Sequence, residues 1–360
     1  MGVFSFTDYI IDSERLIENV RTIKRGLVSG VKFCAVVKAD AYGVGSEIVS
    51  RLLNDCVDCY AVANLEEGMA LRKAEIDKRI LVLGPMNFDF LNVYFENFLS
   101  PTVSTVFEMS KLSRGLKSPL EVEFGLNSGM NRFGFSEKTE IVRAISTLKG
   151  NLKIKLFGAF SHLATKENDV AFMMRQRDCF EDLLLPFEGM DIVRHIANSN
   201  AALNHKDLQY DMVRVGFGLY GMDASNGLLP VVSIRSRIVL INEVAAGESV
   251  GYDRTFVAGK NMKVAVVPVG YFDGFERCLS NRGSVLVCGQ RADIVGRVCM
   301  DVMMVDVSNV VGASVGSEVV LLGQQGDKEL RLGDYARWCG TSEYEVLSRL
   351  NRSRMNIVIK

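Results

Sequence analysis

Residues Phe33–Gly45 read FCAVVKADAYGVG. Four apolar residues, Cys34, Ala35, Val36 and Val37, run without a polar break into Lys38, and a tyrosine and two glycines follow. An unbroken apolar run of this kind is the pattern of a strand buried on both faces, as in a parallel sheet. Similar runs recur through the first two thirds of the chain: CYAVANL, ILVLGP, LSPTVST, LEVEFGL, IKLFGAFSHL, DIVRHIANS and MVRVGFGLYG. Amphipathic stretches such as Glu66–Lys73, Glu137–Leu148 and Glu167–Leu185 lie between them. Eight β-like runs alternating with helices predict an α/β fold, a closed (β/α)8 TIM-like barrel over residues 1–225. An open doubly wound sheet accommodates fewer strands.

The texture changes after residue 225. LPVVSIRSRIVLINEV, MKVAVVPVGY, GSVLVCG, ADIVGRVCMDVMMVDV and SEVVLLG are Val/Ile-rich runs separated by Gly, Asn and Asp turns. They predict a C-terminal all-β domain over residues 226–360, which the first ten or so residues of the chain are free to join. Helical segments are expected near LGDYARWC and SEYEVLSRL.

Bulk properties narrow the function. A chain of 360 residues with 48% hydrophobic and 24% charged content has the material for sizeable cores. A net charge of −1 disfavours a nucleic-acid binder or a basic membrane arm. The opening MGVFSFTDYIIDSERL lacks the basic and apolar regions of a secretory signal, and Phe6 stands where a myristoylation motif needs Ser or Thr. No apolar run approaches a membrane span. The eight cysteines are scattered through apolar stretches, the usage of buried thiols in a reducing compartment. Cys56-Val57-Asp58-Cys59 has no second Cys/His pair spaced for zinc and runs into a strand, so core thiols are expected and no metal. A cytoplasmic enzyme acting on a small molecule is the default.

In a (β/α)8 barrel the chemistry sits at the C-terminal ends of the strands. Lys38 ends the first. Desolvated at the barrel mouth, a lysine loses basicity and can form a Schiff base, although a strand-end lysine that snorkels to solvent reads the same. His162 ends the sixth strand, His195, Asn198 and Ser199 end the seventh, and Arg214, Gly216 and Tyr220 belong to the eighth. Loops after strands seven and eight commonly hold a phosphate. A lysine for an aldehyde and a cup for a phosphate together imply pyridoxal phosphate.

With these residues in place the chain resembles the alanine racemase family. AVVKADAYGVG is similar to the family's cofactor-lysine motif A-V-V-K-A-N-A-Y-G-H-G, SGMNRFGF to T-G-M-G-R-x-G-F, RHIANSNAAL to H-x-A-N-S-A-A and MVRVGFGLYG to M-V-R-P-G-I-x-L-Y-G. In the second domain GYFDGFER resembles G-Y-x-D-G-x-x-R, and IVGRVCMDVMMVDV resembles I-V-G-R-V-C-M-D-Q-x-M-V-D. The pieces occur in the same order over nearly the whole chain.

The resemblance implies interconversion of L- and D-alanine by two bases, with Lys38 on one face of the substrate and Tyr252 on the other. Tyr252 would come from the second copy of a head-to-tail homodimer. His162 and Arg214 would assist Tyr252, and Arg214 would face the pyridine nitrogen. Tyr42, Asn198, Ser199, Gly216, Phe217 and Tyr344 would hold the cofactor. Arg132 and the Met300 N–H would receive the substrate carboxylate, Tyr271, Tyr252 and Tyr344 would crowd the substrate methyl, and Glu167, Arg277, Arg297 and Asp301 would line the entrance. Supply of D-alanine for peptidoglycan is the implied role.

The pattern is broken in places. Gly125 stands where the family usually has a lysine that is carbamylated to orient the substrate-binding arginine, and Asn127 replaces an aspartate. A chloride or an ordered water is the expected substitute partner of Arg132. Asp40 replaces Asn, Val44 replaces His, and the tail RLNRSRMNIV only loosely matches R-V-P-R. A racemase for serine or larger amino acids is the near alternative. A barrel decarboxylase is disfavoured because the chain has neither a G-G-G phosphate loop nor a C-E-S-x-D motif. A cofactor carrier built on the barrel alone has no use for the domain bearing Tyr252.

Overall fold

The computed structural model describes residues 5–149, 151–165, 169–221 and 226–360. Glu167 lies outside the described residues, and so does the last residue before the expected domain boundary at 225/226.

Strand β1 (Asp8–Ile11) opens the chain. Eight strands then form one parallel sheet: β2 (Lys32–Val36), β3 (Cys59–Val62), β4 (Arg79–Val82), β5 (Leu99–Val103), β6 (Leu120–Gly125), β7 (Ile154–Phe160), β8 (Val193–His195) and β9 (Met212–Val215). Each neighbour follows in chain order from β2 to β8, and β9 returns to pair with β2. Between β8 and β9 the ring is joined by Asp211 N–H to Arg194 C=O at 3.0 Å and Arg214 N–H to Ala197 C=O at 3.0 Å. The expected barrel is therefore present and nearly closed.

Strand burial explains the unbroken apolar runs. Phe33, Cys34, Ala35, Val36 and Val37 are all buried, with Phe33, Ala35 and Val37 against the helical layer and Cys34 and Val36 inside the barrel with Cys59, Ala61, Leu81 and Met212. A strand with both faces covered has no solvated side to carry polar residues.

The second domain is all-β apart from two α-helices, Leu332–Cys339 and Glu343–Arg349, and short 3-10 turns. Strand β1 enters its larger sheet, antiparallel to β10 (Val232–Arg237) and parallel to Asn356–Ile359. A three-stranded sheet is built from Leu240–Val244, Met262–Val267 and Met303–Asp306. Cys278 and Cys339 are joined in a disulfide with Cα atoms 5.2 Å apart, which departs from the expected all-thiol chain. Residues 61 apart in sequence meet because the turn Arg277–Leu279 packs on the helix Leu332–Cys339. Cys56 and Cys59 are free thiols, Cys59 buried.

Candidate active site

A cavity of about 550 Å³ opens at the C-terminal ends of the barrel strands. Its lining includes Lys38, Tyr42, Arg132, His162, Asn198, Ser199, Arg214, Gly216, Phe217 and Tyr344.

Lys38 is presented by an unusual turn. Ala39, Asp40, Ala41 and Tyr42 all have positive φ, between 51° and 58°, a left-handed helical turn made without glycine. Such a turn costs about 1–2 kcal/mol per residue and persists only if its surroundings hold it. The holders are visible. Glu67 accepts from Ala39 N–H at 2.8 Å and from Ala63 N–H at 2.7 Å. Asp40 accepts from Ser46 N–H at 2.8 Å and from Arg352 Nε at 3.1 Å, so the aspartate at this position and the arginine of the C-terminal tail form a pair. Burial, then the guanidinium of Arg132, lower the basicity of the half-buried Lys38, and Glu67 opposes them.

In the same cavity lining, Ser199 Oγ accepts from Gly216 N–H at 3.1 Å and from Gly218 N–H at 3.2 Å. Its own proton is thereby directed elsewhere. The hydroxyl of Tyr42 lies against Gly216, and Phe217 stacks on Tyr344 with centroids 3.7 Å apart. Burial raises the phenol of Tyr42, keeping it protonated as a donor. Asn198 caps the short helix Ser199–Asn204 by accepting from Ala201 N–H at 3.1 Å. Tyr220, expected on the eighth strand, lies beyond its end in the turn Phe217–Tyr220 and is buried.

The floor is charged. Arg214 is 3% exposed and donates to His195 Nδ1 at 2.6 Å, Ser161 C=O at 2.6 Å and His162 Nδ1 at 3.3 Å. Burial, with Arg214 and Arg132 nearby, pushes His162 down to about 3, so it is neutral at physiological pH. An arginine has no acceptor, so His162 Nδ1 must accept and Nε2 must carry the proton. His195 is fully buried beneath the cavity, stacked on Phe160 at 5.2 Å, and does not line the mouth.

Arg132 has no carboxylate within ion-pair distance among the described residues, and its guanidinium lies 5.9 Å from the Phe133 ring. A Cβ on Gly125 would come within 3.2 Å of both Ser104 Oγ and Thr102 Cγ2, so the neighbouring strand closes on the position where the motif usually has a lysine.

Tyr252, Tyr271, Met300 and Asp301 are not brought to this cavity within one chain. They lie in the β domain: Tyr252 is 67% exposed beside the pair Asp253–Arg297, Tyr271 N–H donates to Cys299 C=O at 2.9 Å, and Asp301 pairs with Arg354 at 2.9 Å. Glu67 and Glu123 carry no motif that marks them in the sequence; Glu123 is fully buried beside His195, and its signal is an acid at an inward position of the strand LEVEFG.

The donors fit a phosphorylated pyridine aldehyde: a lysine of lowered basicity, a hydroxyl and tyrosine cup, and a buried arginine line one cavity.

Two family descriptions cover the chain: the alanine racemase N-terminal domain over residues 11–224 and the alanine racemase C-terminal domain over residues 231–358. An alanine racemase of Halothermothrix orenii is 36% identical over 356 residues, spanning 95% of this chain and 94% of the relative. Alanine racemase 2 of Caldanaerobacter subterraneus subsp. tengcongensis is 36% identical over 365 residues, spanning 97% and 94%. The crystal structure of alanine racemase from E. faecalis superposes with a TM-score of 0.95 at 31% identity, covering 100% of both chains.

Proposed function

The chain belongs to the alanine racemase family, a family of isomerases, and we propose that it interconverts L- and D-alanine at the cavity described above. The observation that carries the reading is the meeting of Lys38, the Ser199–Gly216 cup and the buried Arg214 around one cavity. Pyridoxal phosphate, when bound, delocalises the charge left as the substrate's α-proton departs.

Lys38 would anchor the cofactor and then take or return a proton at Nζ on one face of the substrate. Its lowered basicity suits that exchange near neutrality. Ser199, Tyr42, Asn198, Gly216, Phe217 and Tyr344 would hold the phosphate end. Arg214 would face the ring nitrogen. A permanently cationic group there disfavours protonation of that nitrogen, limits charge withdrawal into the ring and so favours direct reprotonation.

Tyr252 would exchange the proton at Oη on the opposite face, supplied by the second copy of a homodimer. Its exposure in the single chain supports this. Neutral His162, with its proton on Nε2, would donate to the phenolic oxygen and favour the phenolate. Arg132 and the Met300 N–H would bind the substrate carboxylate, Tyr271 and Tyr344 would limit the space for its side chain, and Asp301 would lie at the entrance. Among the described residues no helix is long and apolar enough to cross a membrane. Work in the cytoplasm, supplying D-alanine for peptidoglycan, belongs to the same reading.

One feature favours a second reading: with Gly125 and Asn127 in the carboxylate region, substrates other than alanine, serine foremost, become candidates. Chiral chromatography of L-alanine, D-alanine and both serine enantiomers incubated with the protein and pyridoxal phosphate tests the proposal. Convergence of both alanine enantiomers on an equal mixture, faster than serine, is expected. Retention of optical purity by all four would refute it.

A further inference from the structure

Glu123 is 0% exposed and lies one imidazole away from Arg214. The strand Leu120–Gly125 turns it into the barrel, and a register shift between Val122 and Glu123 sets it opposite Gly158 of β7. A Cβ on Gly158 would stand 2.6 Å from Glu123 Oε2 and 2.5 Å from Val193 C=O, so the backbone is shaped around this carboxyl. Oε2 lies 3.2 Å from His195 Nε2, and Oε1 has no hydrogen-bond partner among the described residues.

Arg214, by contrast, is bonded among the described residues to neutral acceptors: His195 Nδ1 and C=O, Ser161 C=O and His162 Nδ1. Because the guanidinium can only donate, His195 Nδ1 accepts, Nε2 carries the proton, and the imidazole donates to Glu123. The order of the chain is thus fixed by valence. A buried carboxyl left half satisfied is costly, and such groups gather at functional sites.

We propose that Glu123 is a positioning residue for Arg214, acting through His195 to set the positive field that the guanidinium presents to the cavity. The proposal rests on the reading that Arg214 faces the cofactor's ring nitrogen. With Glu123 protonated the guanidinium field is undiluted. With Glu123 ionised it is offset from behind, and Arg214 holds the ring nitrogen unprotonated less firmly.

Burial pushes Glu123 up to about 8, against the opposing pull of Arg79 and Arg214. Glu121, on the same strand, is paired with Arg79 and with Lys155 at 2.8 Å, and Arg79 stacks 3.4 Å over Phe157. The thiols of Cys34 and Cys59 complete the surroundings, that of Cys34 raised by burial. Glu123 is the group in this layer that changes charge near neutrality.

The test compares wild type, E123Q and E123D loaded with pyridoxal phosphate, following the absorbance of the lysine-linked cofactor from about pH 6 to about pH 10. The wild-type spectrum should titrate with a midpoint of about 8. E123Q should lose that transition with its circular dichroism unchanged, and E123D, which keeps the charge on a shorter arm, should restore one at a displaced midpoint. A cofactor-bound E123Q that titrates like wild type would overturn the proposal. Failure of the wild type to bind the cofactor would instead strike the reading beneath it. A second measurement, carboxyl NMR of the glutamate-labelled cofactor-free wild type, needs neither cofactor nor variant. A carboxyl with a midpoint far above the ordinary glutamate range is expected, and its absence overturns the proposal even if E123Q does not fold.

Discussion

Gly216 lies so close to Tyr42 that a Cβ on the glycine would stand 2.3 Å from the phenolic oxygen. The contact binds the turn that presents Lys38 to the strand that carries Arg214. It also requires a residue without a side chain at the rim of the cup.

Gly216→Ala should therefore displace Tyr42. Overpacking of this kind costs about 1–3 kcal/mol. If the loss falls on the cup, pyridoxal phosphate affinity drops by at least about tenfold while the fold survives. Equilibrium titration of the cofactor, read by its absorbance, checks this.

Lys38→Ala should abolish the absorbance of a lysine-linked cofactor and reduce racemisation by at least ~10²–10⁴-fold, the usual contribution of a positioned acid or base. Tyr252→Phe should retain the absorbance and lose turnover on the same scale. The two variants differ in what they keep, so spectroscopy and kinetics together separate anchoring from proton exchange.

Mixing those two inactive variants tests the shared site. If Tyr252 reaches the cavity of a second copy, a mixed dimer contains one site with both Lys38 and Tyr252 intact. Unfolding and refolding the two together should then regain activity that neither has alone. No recovery from a mixture that demonstrably forms dimers would count against the arrangement.

Stability should depend on pH in two opposite ways. His162 falls from 6.5 to about 3 on folding, so the unfolded chain binds the extra proton between those values and stability declines as acid is added below about 6.5. Glu123 rises from 4.5 to about 8, so its contribution is present below about 4.5 and is lost as pH climbs through about 8. Thermal unfolding should show a flatter alkaline limb in E123Q and a flatter acid limb in H162N.

The barrel and the β domain were legible because buried parallel strands leave unbroken apolar runs and Lys38 interrupts one at its end. The cup was legible through strand-end residues, since barrel topology brings the last loops together. What periodicity could not convey was long-range pairing. Asp40 meets Arg352 and Cys278 meets Cys339 through tertiary contacts that leave no local pattern. Glu123 meets His195 and Gly158 through pairings with β7 and β8 that the pattern of LEVEFG alone does not encode. Local rules break where a site is built.

Exchange of the α-proton of L-alanine and of D-alanine in deuterium oxide, followed by NMR with and without added pyridoxal phosphate, tests the central claim most directly. Cofactor-dependent loss of the α-proton signal from both enantiomers, accompanied by loss of optical purity, is the predicted result. Exchange that leaves each enantiomer optically pure, or no exchange by a protein that holds the cofactor on Lys38, would contradict it.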